Sequence, residues 1–307
     1  MGITVIIPCY NAAQWIEQAL QSVASQSHLP EEVIVIDDGS CDDSIQRVKC
    51  SPVPVKLLMT AHVGGAGARN VGISAAEEEW IAFLDADDVW HPDHLERADR
   101  LLQNSKDVAY LAHYDLIDSV NRREQRAPER AISHPVGGLS HQKFLEQFAK
   151  SPTFGMSSVL VRRDRLREVN QFDETQIRRH DIDMWLRVIE GQTWSYDPVA
   201  AYAYRIDTPG AISRNIASRE YFHLRALLKN REGYSGPTME RLIVQGARRC
   251  VSAAFTDGNA QDQRLARELA WPHLLPKDRR LFGMVSGCPF IFRWANQMRR
   301  RILGHGL

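Results

Sequence analysis

The sequence lacks the cysteine patterns that bind zinc or build a disulfide framework. Its 307 residues include five cysteines, Cys9, Cys41, Cys50, Cys250 and Cys288, and no two of them form a C-x-x-C pair. An odd, scattered set of cysteines argues against both kinds of site. The reducing cytoplasm is therefore the expected compartment.

An excess of charge of either sign is also missing, as is a long apolar run. Lys+Arg and Asp+Glu both number 38, so no basic excess points to nucleic acid as a partner. No segment approaches the roughly 20 apolar residues that cross a bilayer, and the run from Ile3 to Ile7 is too short for a signal peptide. With 44% hydrophobic residues, the chain is expected to be a soluble globular protein of one large or two small domains.

Two common phosphate-binding motifs are absent as well. No G-x-x-x-x-G-K-[ST] occurs, which excludes P-loop chemistry. Gly65 and Gly67 fit the dinucleotide motif G-x-G-x-x-G, but its third position is Asn70. This glycine-rich turn also follows the third predicted strand instead of the first, so a dinucleotide site is not predicted.

The first ninety residues alternate between strand and helix patterns. Capping boxes are predicted at Asn11 with Gln14 and at Ser40 with Asp43. Strands are predicted at Ile3 to Ile7, Val33 to Ile36, Val55 to Met59 and Trp80 to Leu84, with helices between them. This order predicts an α/β fold with a mostly parallel sheet flanked by helices.

The remaining chain mixes both patterns and then becomes helical. Helices are predicted at Pro92 to Gln103, His141 to Ala149 and Asp183 to Glu190; strands at Val108 to Leu116, Met156 to Val161, and two short ones within Trp194 to Arg205. The polar segment Asn121 to Arg130 is predicted to be a mobile loop or a hairpin. From about Arg219 onward only helices are expected.

Three acids, Asp85, Asp87 and Asp88, end the fourth strand in the stretch WIAFLDADDVW. This position is the carboxyl edge of a strand, where open α/β sheets bind ligands. Clustered carboxylates repel one another unless a cation or donors share them, and oxygen ligands suit Mg²⁺ or Mn²⁺ beside a diphosphate. Acids at a solvated helix N-terminus are the simpler alternative, and a second D-x-D occurs at Asp181 and Asp183.

Taken together, the motifs resemble a family 2 glycosyltransferase with the GT-A fold. They are T-V-I-I-P-C-Y-N, V-I-D-D-G-S, G-A-G-A-R-N-V-G, F-L-D-A-D-D, G-M-S-S-V-L-V-R-R, Q-F-D-E and H-D-I-D-M-W-L-R, in order over roughly residues 3 to 215. The resemblance implies transfer of a sugar, with inversion, from a nucleotide-sugar such as a UDP-sugar. The acceptor would be a hydroxyl of a glycan or lipid-linked glycan, in surface polysaccharide or lipopolysaccharide biosynthesis.

The resemblance also implies roles for individual residues. Asp87 would coordinate the divalent metal, Mn²⁺ or Mg²⁺, and Asp181 would be the general base, with Asp183 as the alternative. The residue before this base is usually Glu in the family and is His180 here, which could tune the pKa of Asp181. The nucleotide-sugar would be bound by Pro8, Tyr10, Asn11, Asp37, Asp38, Gly67, Arg69, Asn70, Asp85 and Ala86.

On the same basis the chain divides into three parts. Residues 1–104 would form the nucleotide-sugar-binding half, 105–216 the acceptor-binding and catalytic-base half of one domain, and 217–307 a helical C-terminal region. The segment Phe290 to Leu307 holds four arginines and no acid. It could therefore contact an anionic membrane surface, or its aromatic residues could pack inward while the arginines face water.

Two other functions remain open at this point. A nucleotidyltransferase also uses a parallel sheet and aspartates on Mg²⁺, but it would normally have a basic glycine-rich turn where this chain has Pro8 to Asn11. A nucleotide-sugar-binding protein without catalysis is the second alternative, and His180 is the feature that supports it.

Overall fold

The computed structural model describes residues 1–118, 123–124, 134–150, 154–206, 215–256 and 258–286. Its strands are β1 (Ile3–Cys9), β2 (Glu32–Asp37), β3 (Lys56–Met59), β4 (Trp80–Phe83), β5 (Val89–Trp90), β6 (Ala109–Ile117), β7 (Arg123–Glu124), β8 (Val136–Ser140), β9 (Val159–Arg162) and β10 (Thr193–Arg205). Its α-helices are α1 (Ile16–Ala24), α2 (Ser44–Lys49), α3 (Gly64–Ala75), α4 (His94–Leu102), α5 (His141–Lys150), α6 (Arg163–Glu168), α7 (His180–Ile189), α8 (Ile216–Lys229), α9 (Pro237–Thr256), α10 (Ala260–Ala270) and α11 (Pro276–Ser286).

The chain divides into two compact units, Met1–Pro209 and Gly210–Leu307. The described strands all lie in the first unit, and the described part of the second consists of helices α8 to α11 with short 3-10 turns. This agrees with the helical pattern predicted from about Arg219 onward.

The described strands form one sheet in the order β3-β2-β1-β4-β9-β6-β10-β5, with β7 beside β6 and β8 beside β10. Strands β3, β2, β1 and β4 are parallel, as the sequence predicts. Beyond them the sheet is mixed, because β9 runs antiparallel to both β4 and β6 while β10 is parallel to β6. Since β1 lies between β2 and β4, the loops after these three strands meet at one edge.

Alternate residues of β1 pack against helices on opposite faces of the sheet. Val5 and Ile7 join a buried cluster with Leu20 of α1. Ile6 faces α3. A Cβ added to Gly72 of this helix would lie 2.7 Å from the Ile6 Cγ2 atom. The missing side chain at Gly72 therefore lets α3 approach the sheet closely.

Both predicted capping boxes are wrong. Helix α1 begins at Ile16, after a cap residue whose side chain accepts no backbone hydrogen bond. Asn11 instead has a φ of 47°, and its Oδ1 accepts the Cys41 N–H at 2.8 Å. The Ser40 Oγ accepts the Asn11 N–H at 2.9 Å. Contacts between two loops have replaced the local helix caps, because tertiary partners compete for the same side chains.

Several predicted element boundaries also differ. Strand β1 continues through Pro8, and the glycine-rich turn Gly64 to Asn70 forms the first turns of helix α3. The expected pair of strands in Trp194 to Arg205 is one strand, with irregular register between Asp197 and Ala200. Met156–Ser158 is a 3-10 turn instead of strand.

Two predicted segments lie largely outside the residues that the structure describes. Of Asn121 to Arg130, only β7 is described, and it pairs antiparallel with β6. Phe290 to Leu307 lies outside the described residues. No helix in the described part of the chain is long and apolar enough to cross a membrane.

Candidate active site

The loops after β1 and β2 hold each other in place at the carboxyl edge of the sheet. The Asn11 side chain and backbone both bond to the loop after β2, as described above. Gly39 in that loop has a φ of 82°, a left-handed conformation that glycine adopts without strain. Asn11 therefore fixes the loops, and Pro8 lies half-buried at the end of β1, while the neighbouring Tyr10 is left 49% exposed at the surface.

Asp38 uses both carboxylate oxygens to hold the start of α3. Its Oδ1 accepts the Thr60 hydroxyl at 2.6 Å and the Val63 N–H at 2.7 Å, and its Oδ2 accepts the Gly64 N–H at 2.8 Å. These N–H groups begin a helix and have no acceptor within it. The neighbouring Asp37 is buried and accepts the Ser40 N–H at 3.0 Å. Asp37 and Asp38, both predicted to bind the nucleotide-sugar, thus stabilise the edge loops.

An exposed aromatic pair lies beside Asp38. The rings of Tyr10 and His62 are 4.4 Å apart and tilted by 42°, and the His62 Nδ1 lies 3.3 Å from the Asp38 carbonyl oxygen. His62 has a φ of 60°, an uncommon conformation that the surrounding contacts maintain. Flat aromatic surfaces of this kind suit stacking against a planar ring. His62 was not among the predicted site residues, although its place in the loop after β3 was a usable signal.

Arg69 joins three separate elements at the same edge. Its Nη2 donates to the Asp85 carboxylate at the end of β4. Its Nη1 donates to the Gly65 carbonyl at 2.9 Å and lies 3.1 Å from the Nε2 of His180 at the start of α7. A Cβ on Gly65 would lie 3.1 Å from this Nη1. The glycine therefore leaves room for the guanidinium to connect α3, β4 and α7.

His180 is a neutral imidazole in this arrangement. Burial, first, and the adjacent Arg69 cation, second, lower its pKa from 6.5 to about 4. An Arg N–H can donate only to an unprotonated nitrogen, so Nε2 is the acceptor and the proton lies on Nδ1. The Phe172 ring meets the imidazole edge-on, with 5.8 Å between ring centres.

Gly67 and Asn70, both predicted to contact the nucleotide-sugar, lie in packing positions of α3. The Asn70 side chain pairs with the Phe172 backbone, accepting its N–H at 2.9 Å and donating to its carbonyl at 3.0 Å. It also donates to Glu174 at 3.0 Å. A Cβ on Gly67 would lie 2.9 Å from the Val63 side chain. Both residues therefore fix α3 against its neighbours.

Asp88 is a buried support for the loop that carries the other two acids. Its Oδ2 accepts the Ser157 hydroxyl at 2.6 Å, and its Oδ1 accepts the Arg205 N–H at 3.2 Å. Burial and the neighbouring carboxylates of Asp87 and Asp85 raise its pKa well above the ordinary value. The Ser157 Oγ also accepts the Asp85 N–H at 2.9 Å. Ser157 thus fixes the acidic loop through both contacts.

The acidic loop fits a cation that arrives together with a diphosphate. Asp85 is paired with Arg69, Ala86 is buried, and Asp87 is half-buried, with its backbone carbonyl bonded to the Arg205 Nε at 3.0 Å. Among the residues that the structure describes, no three His, Cys, Asp or Glu side chains form a ready metal cage. Mg²⁺ and its analogues usually take one or two carboxylates and complete their shell with phosphate and water, which suits Asp87.

The two acids of the second D-x-D have different environments. Asp183 is fully buried and accepts two bonds from Arg187, at 3.0 and 2.7 Å. Asp181 is half-buried in the first turn of α7, next to His180. The preceding Arg179 has a φ of 53°, a conformation that often marks functional sites. The geometry therefore favours Asp181 over Asp183 as a group that meets substrate.

Comparison with known proteins identifies the family. The model of glycosyl transferase family 2 matches residues 4–169, more than half of the 307 residues. The chain belongs to this family. The resemblance inferred from the motifs is therefore confirmed.

Its relatives include proteins of bacterial polysaccharide synthesis. The succinoglycan biosynthesis protein ExoO of Rhizobium meliloti is 31% identical over 221 residues, which are 69% of this chain and 62% of that protein. The amylovoran biosynthesis glycosyltransferase AmsB of Erwinia amylovora is 29% identical over 195 residues, 61% of this chain and 64% of its own. The matched region thus spans less than two thirds of these relatives.

Solved structures share the fold. TarS of S. aureus, residues 1–349, superposes with a TM-score of 0.65 at 17% identity, over 95% of this chain and 89% of its own. The mannosyltransferase PcManGT of Pyrobaculum calidifontis, in complex with GDP-Man and Mn²⁺, gives 0.60 at 18% identity, over 98% and 84%. The predicted GT-A type of α/β fold is confirmed.

Proposed function

We propose that the chain is a glycosyltransferase that moves a sugar, with inversion, from a UDP-sugar to a hydroxyl of a glycan or lipid-linked glycan. The observation that carries this proposal is the Arg69 bridge, which joins the acidic loop after β4 to the start of the helix holding Asp181. This bridge brings the Arg69 guanidinium, the acidic loop and the candidate base Asp181 to one edge of the sheet. The names of ExoO and AmsB support polysaccharide synthesis as the setting.

The donor would lie across the loops after β1, β2 and β4. Tyr10 and His62 offer an aromatic surface to the base. Asp87 would hold Mn²⁺ or Mg²⁺, and when bound this ion supplies positive charge against the charge that grows on the departing diphosphate. Arg69 is only 5% exposed, so it acts on the diphosphate through its field, as a preorganised charge held at the sheet edge. A TarS structure contains UDP-GlcNAc, which supports a UDP-sugar as donor.

The acceptor would approach from the α7 side. As the bond between the anomeric carbon and the diphosphate oxygen breaks, the acceptor hydroxyl oxygen forms the new bond from the opposite face. Asp181 takes the hydroxyl proton as general base. One displacement of this kind inverts the anomeric carbon, and the bonding pair of the broken bond leaves with the diphosphate.

The regions that choose the acceptor would be residues 105–216, since α7 and β6 both lie there. We propose residues 217–307 as an accessory helical region. The site of action would be the cytoplasm, at the membrane face if the basic Phe290 to Leu307 segment binds anionic lipid.

A binding protein without catalysis is the second candidate, and the neutral His180 in place of the family's Glu favours it. A nucleotidyltransferase is less suitable, because the loop after β1 presents Tyr10 and Asn11 instead of a basic glycine-rich turn.

A donor screen tests the proposal. The full chain is incubated with UDP- and GDP-sugars in Mn²⁺ or Mg²⁺, with glycan and lipid-linked acceptors, and released nucleoside diphosphate is measured. NMR of the product gives the anomeric configuration, and Asp181→Asn is the control. Transfer with inversion is expected. Binding of UDP without any turnover would favour the second candidate, and retention of configuration would refute the mechanism.

A further inference from the structure

We propose that His180 is a positioning residue: as a neutral acceptor for Arg69, it fixes the start of α7 while leaving the Arg69 charge to act on the nucleoside diphosphate. This role rests on the proposed function, because it assigns the diphosphate and the base to the two sides of the Arg69 bridge. It also gives a physical reason for a histidine at position 180, where the family usually has glutamate.

The geometry shows how His180 couples the two sides of the site. It is the first residue of α7, and Asp181 follows it directly. Its Nε2 lies 3.1 Å from the Arg69 Nη1, and the Nη2 of the same guanidinium bonds to Asp85 at the end of β4. Asp181 and the acidic loop are therefore linked through one buried guanidinium, whose planar donors fix direction as well as separation.

Charge explains why a histidine differs from a glutamate here. Asp85 already offsets part of the Arg69 charge, and a neutral partner at position 180 offsets no more of it. A glutamate would place a second negative charge on the same guanidinium. That arrangement would oppose a diphosphate, and the added carboxylate would repel the neighbouring Asp181 carboxylate.

The surroundings keep the imidazole neutral. Arg69 faces it from α3, Asp85 from the edge of β4, and Asp181 and Asp183 from its own helix. Burial and Arg69 oppose protonation more strongly than the three acids favour it. The ring Nδ1 is buried without a hydrogen-bond partner among the described residues, so it offers no donor to a ligand. His180 acts through Arg69 and α7, without contact to substrate.

Three variants separate the acceptor role from the charge role. His180→Gln keeps a neutral acceptor, His180→Leu removes it, and His180→Glu adds charge. His28→Leu is the matched control, because His28 is a half-buried histidine near the amino end of β1, where its neighbour Asp99 also pairs with the Met1 amino group. Each protein is tested for UDP affinity with Mn²⁺ by calorimetry, for donor KM and kcat, and for the pH profile of kcat.

His180→Leu should lower kcat by roughly tenfold to a hundredfold, the usual effect of misplacing a catalytic group, with a smaller change in donor KM. His180→Glu should weaken UDP affinity by about tenfold, and it should move the acid limb of the kcat profile to higher pH, as expected for an added like charge. His180→Gln should restore most of the kcat lost in the leucine variant. His28→Leu should match the wild type.

The inference is overturned if His180→Leu retains wild-type kcat and UDP affinity, or if His180→Glu binds UDP as tightly as wild type with an unchanged profile. Nitrogen NMR of the His180 ring gives a readout that needs no activity. A proton on Nδ1 supports the Arg69 bond, and a proton on Nε2 refutes it. If no donor is turned over and UDP does not bind, the proposed function fails while the NMR result still decides the Arg69 contact.

Discussion

Asp38→Ala tests whether the carboxylate at the end of β2 stabilises the protein or only binds ligand. Asp38 is 4% exposed and accepts three hydrogen bonds, from Thr60, Val63 and Gly64, at 2.6 to 2.8 Å. Hydrogen bonds to a charged acceptor contribute about 1.5 to 3 kcal/mol each, so the three bonds together give roughly 4.5 kcal/mol or more before any compensation by water. Because Val63 is 47% exposed and water can replace part of the loss, we expect about 3 kcal/mol.

The loss is measured by denaturant unfolding and by thermal melting. In a unit of about 200 residues, 3 kcal/mol corresponds to a fall in Tm of roughly 6 to 12 °C. Asp38→Asn should lose about half as much, since its amide oxygen can still accept while its N–H₂ group meets the Gly64 N–H. The matched control is Asp43→Asn, an exposed aspartate whose side chain caps no helix; it should stay within about 0.5 kcal/mol of wild type.

The stabilising role of Asp38 is refuted if both Asp38 variants are as stable as wild type and lose only UDP binding. Asp38 would then be a ligand residue, as the family resemblance alone implies. Loss of stability with UDP affinity retained under native conditions would assign it to the scaffold.

Four further predictions concern Asp87, the pair Asp181 and Asp183, Ser157 and His180. Asp87→Ala should abolish turnover and weaken UDP binding mainly in the presence of Mn²⁺; full activity in excess chelator would contradict the metal role. Asp181→Asn should lower kcat by about a hundredfold with UDP affinity unchanged. Asp183→Asn should instead lower the free energy of unfolding by roughly 3 kcal/mol, because it breaks a buried ion pair. The base assignment is reversed if Asp183→Asn is stable and inactive. Ser157→Ala should cost about 2 kcal/mol of stability, since it leaves buried partners of the acidic loop unpaired; a wild-type melting curve would contradict this. His180 has a pKa of about 4 in the fold, below its ordinary 6.5, so the unfolded chain takes up the proton first as pH falls. Between pH 7.5 and 5 its share of stability should therefore fall by at most about 2 kcal/mol, and a wild type that responds to pH as His180→Gln does would disprove it.

The strands and the acids that follow them could be predicted because a buried strand requires an uninterrupted run of apolar residues in the sequence. Trp80–Phe83 is an uninterrupted apolar run and is buried throughout as β4, and the acids follow where it reaches the sheet edge. The same logic places β1 and β2 with their polar loops. A parallel sheet buried on both faces requires such runs.

The partners of the polar residues could not be predicted, because they lie far apart in the chain. Asp38 reaches Gly64, 26 residues on, and Asn70 reaches Phe172, 102 residues on. A strand-end carboxylate has the same sequence pattern whether its donors belong to a ligand or to another loop. The capping box at Ser40 failed for the same reason, since its hydroxyl bonds to Asn11.

The charges at this edge favour a metal requirement on physical grounds. Asp37 ends β2, and Asp38, Asp85 and Asp87 lie in the loops after β2 and β4. Arg69, one of the cations that contact these acids, is paired with Asp85. A nucleoside diphosphate brings further negative charge to the same place, and like charges at short distance repel by several kcal/mol in a partly buried site. Hydrogen bonds from loop N–H groups offset part of the charge repulsion at Asp38. They cannot neutralise the charge of the incoming diphosphate. Donor affinity should therefore rise with divalent cation concentration, and His180, as a neutral neighbour, keeps Arg69 from being offset a second time.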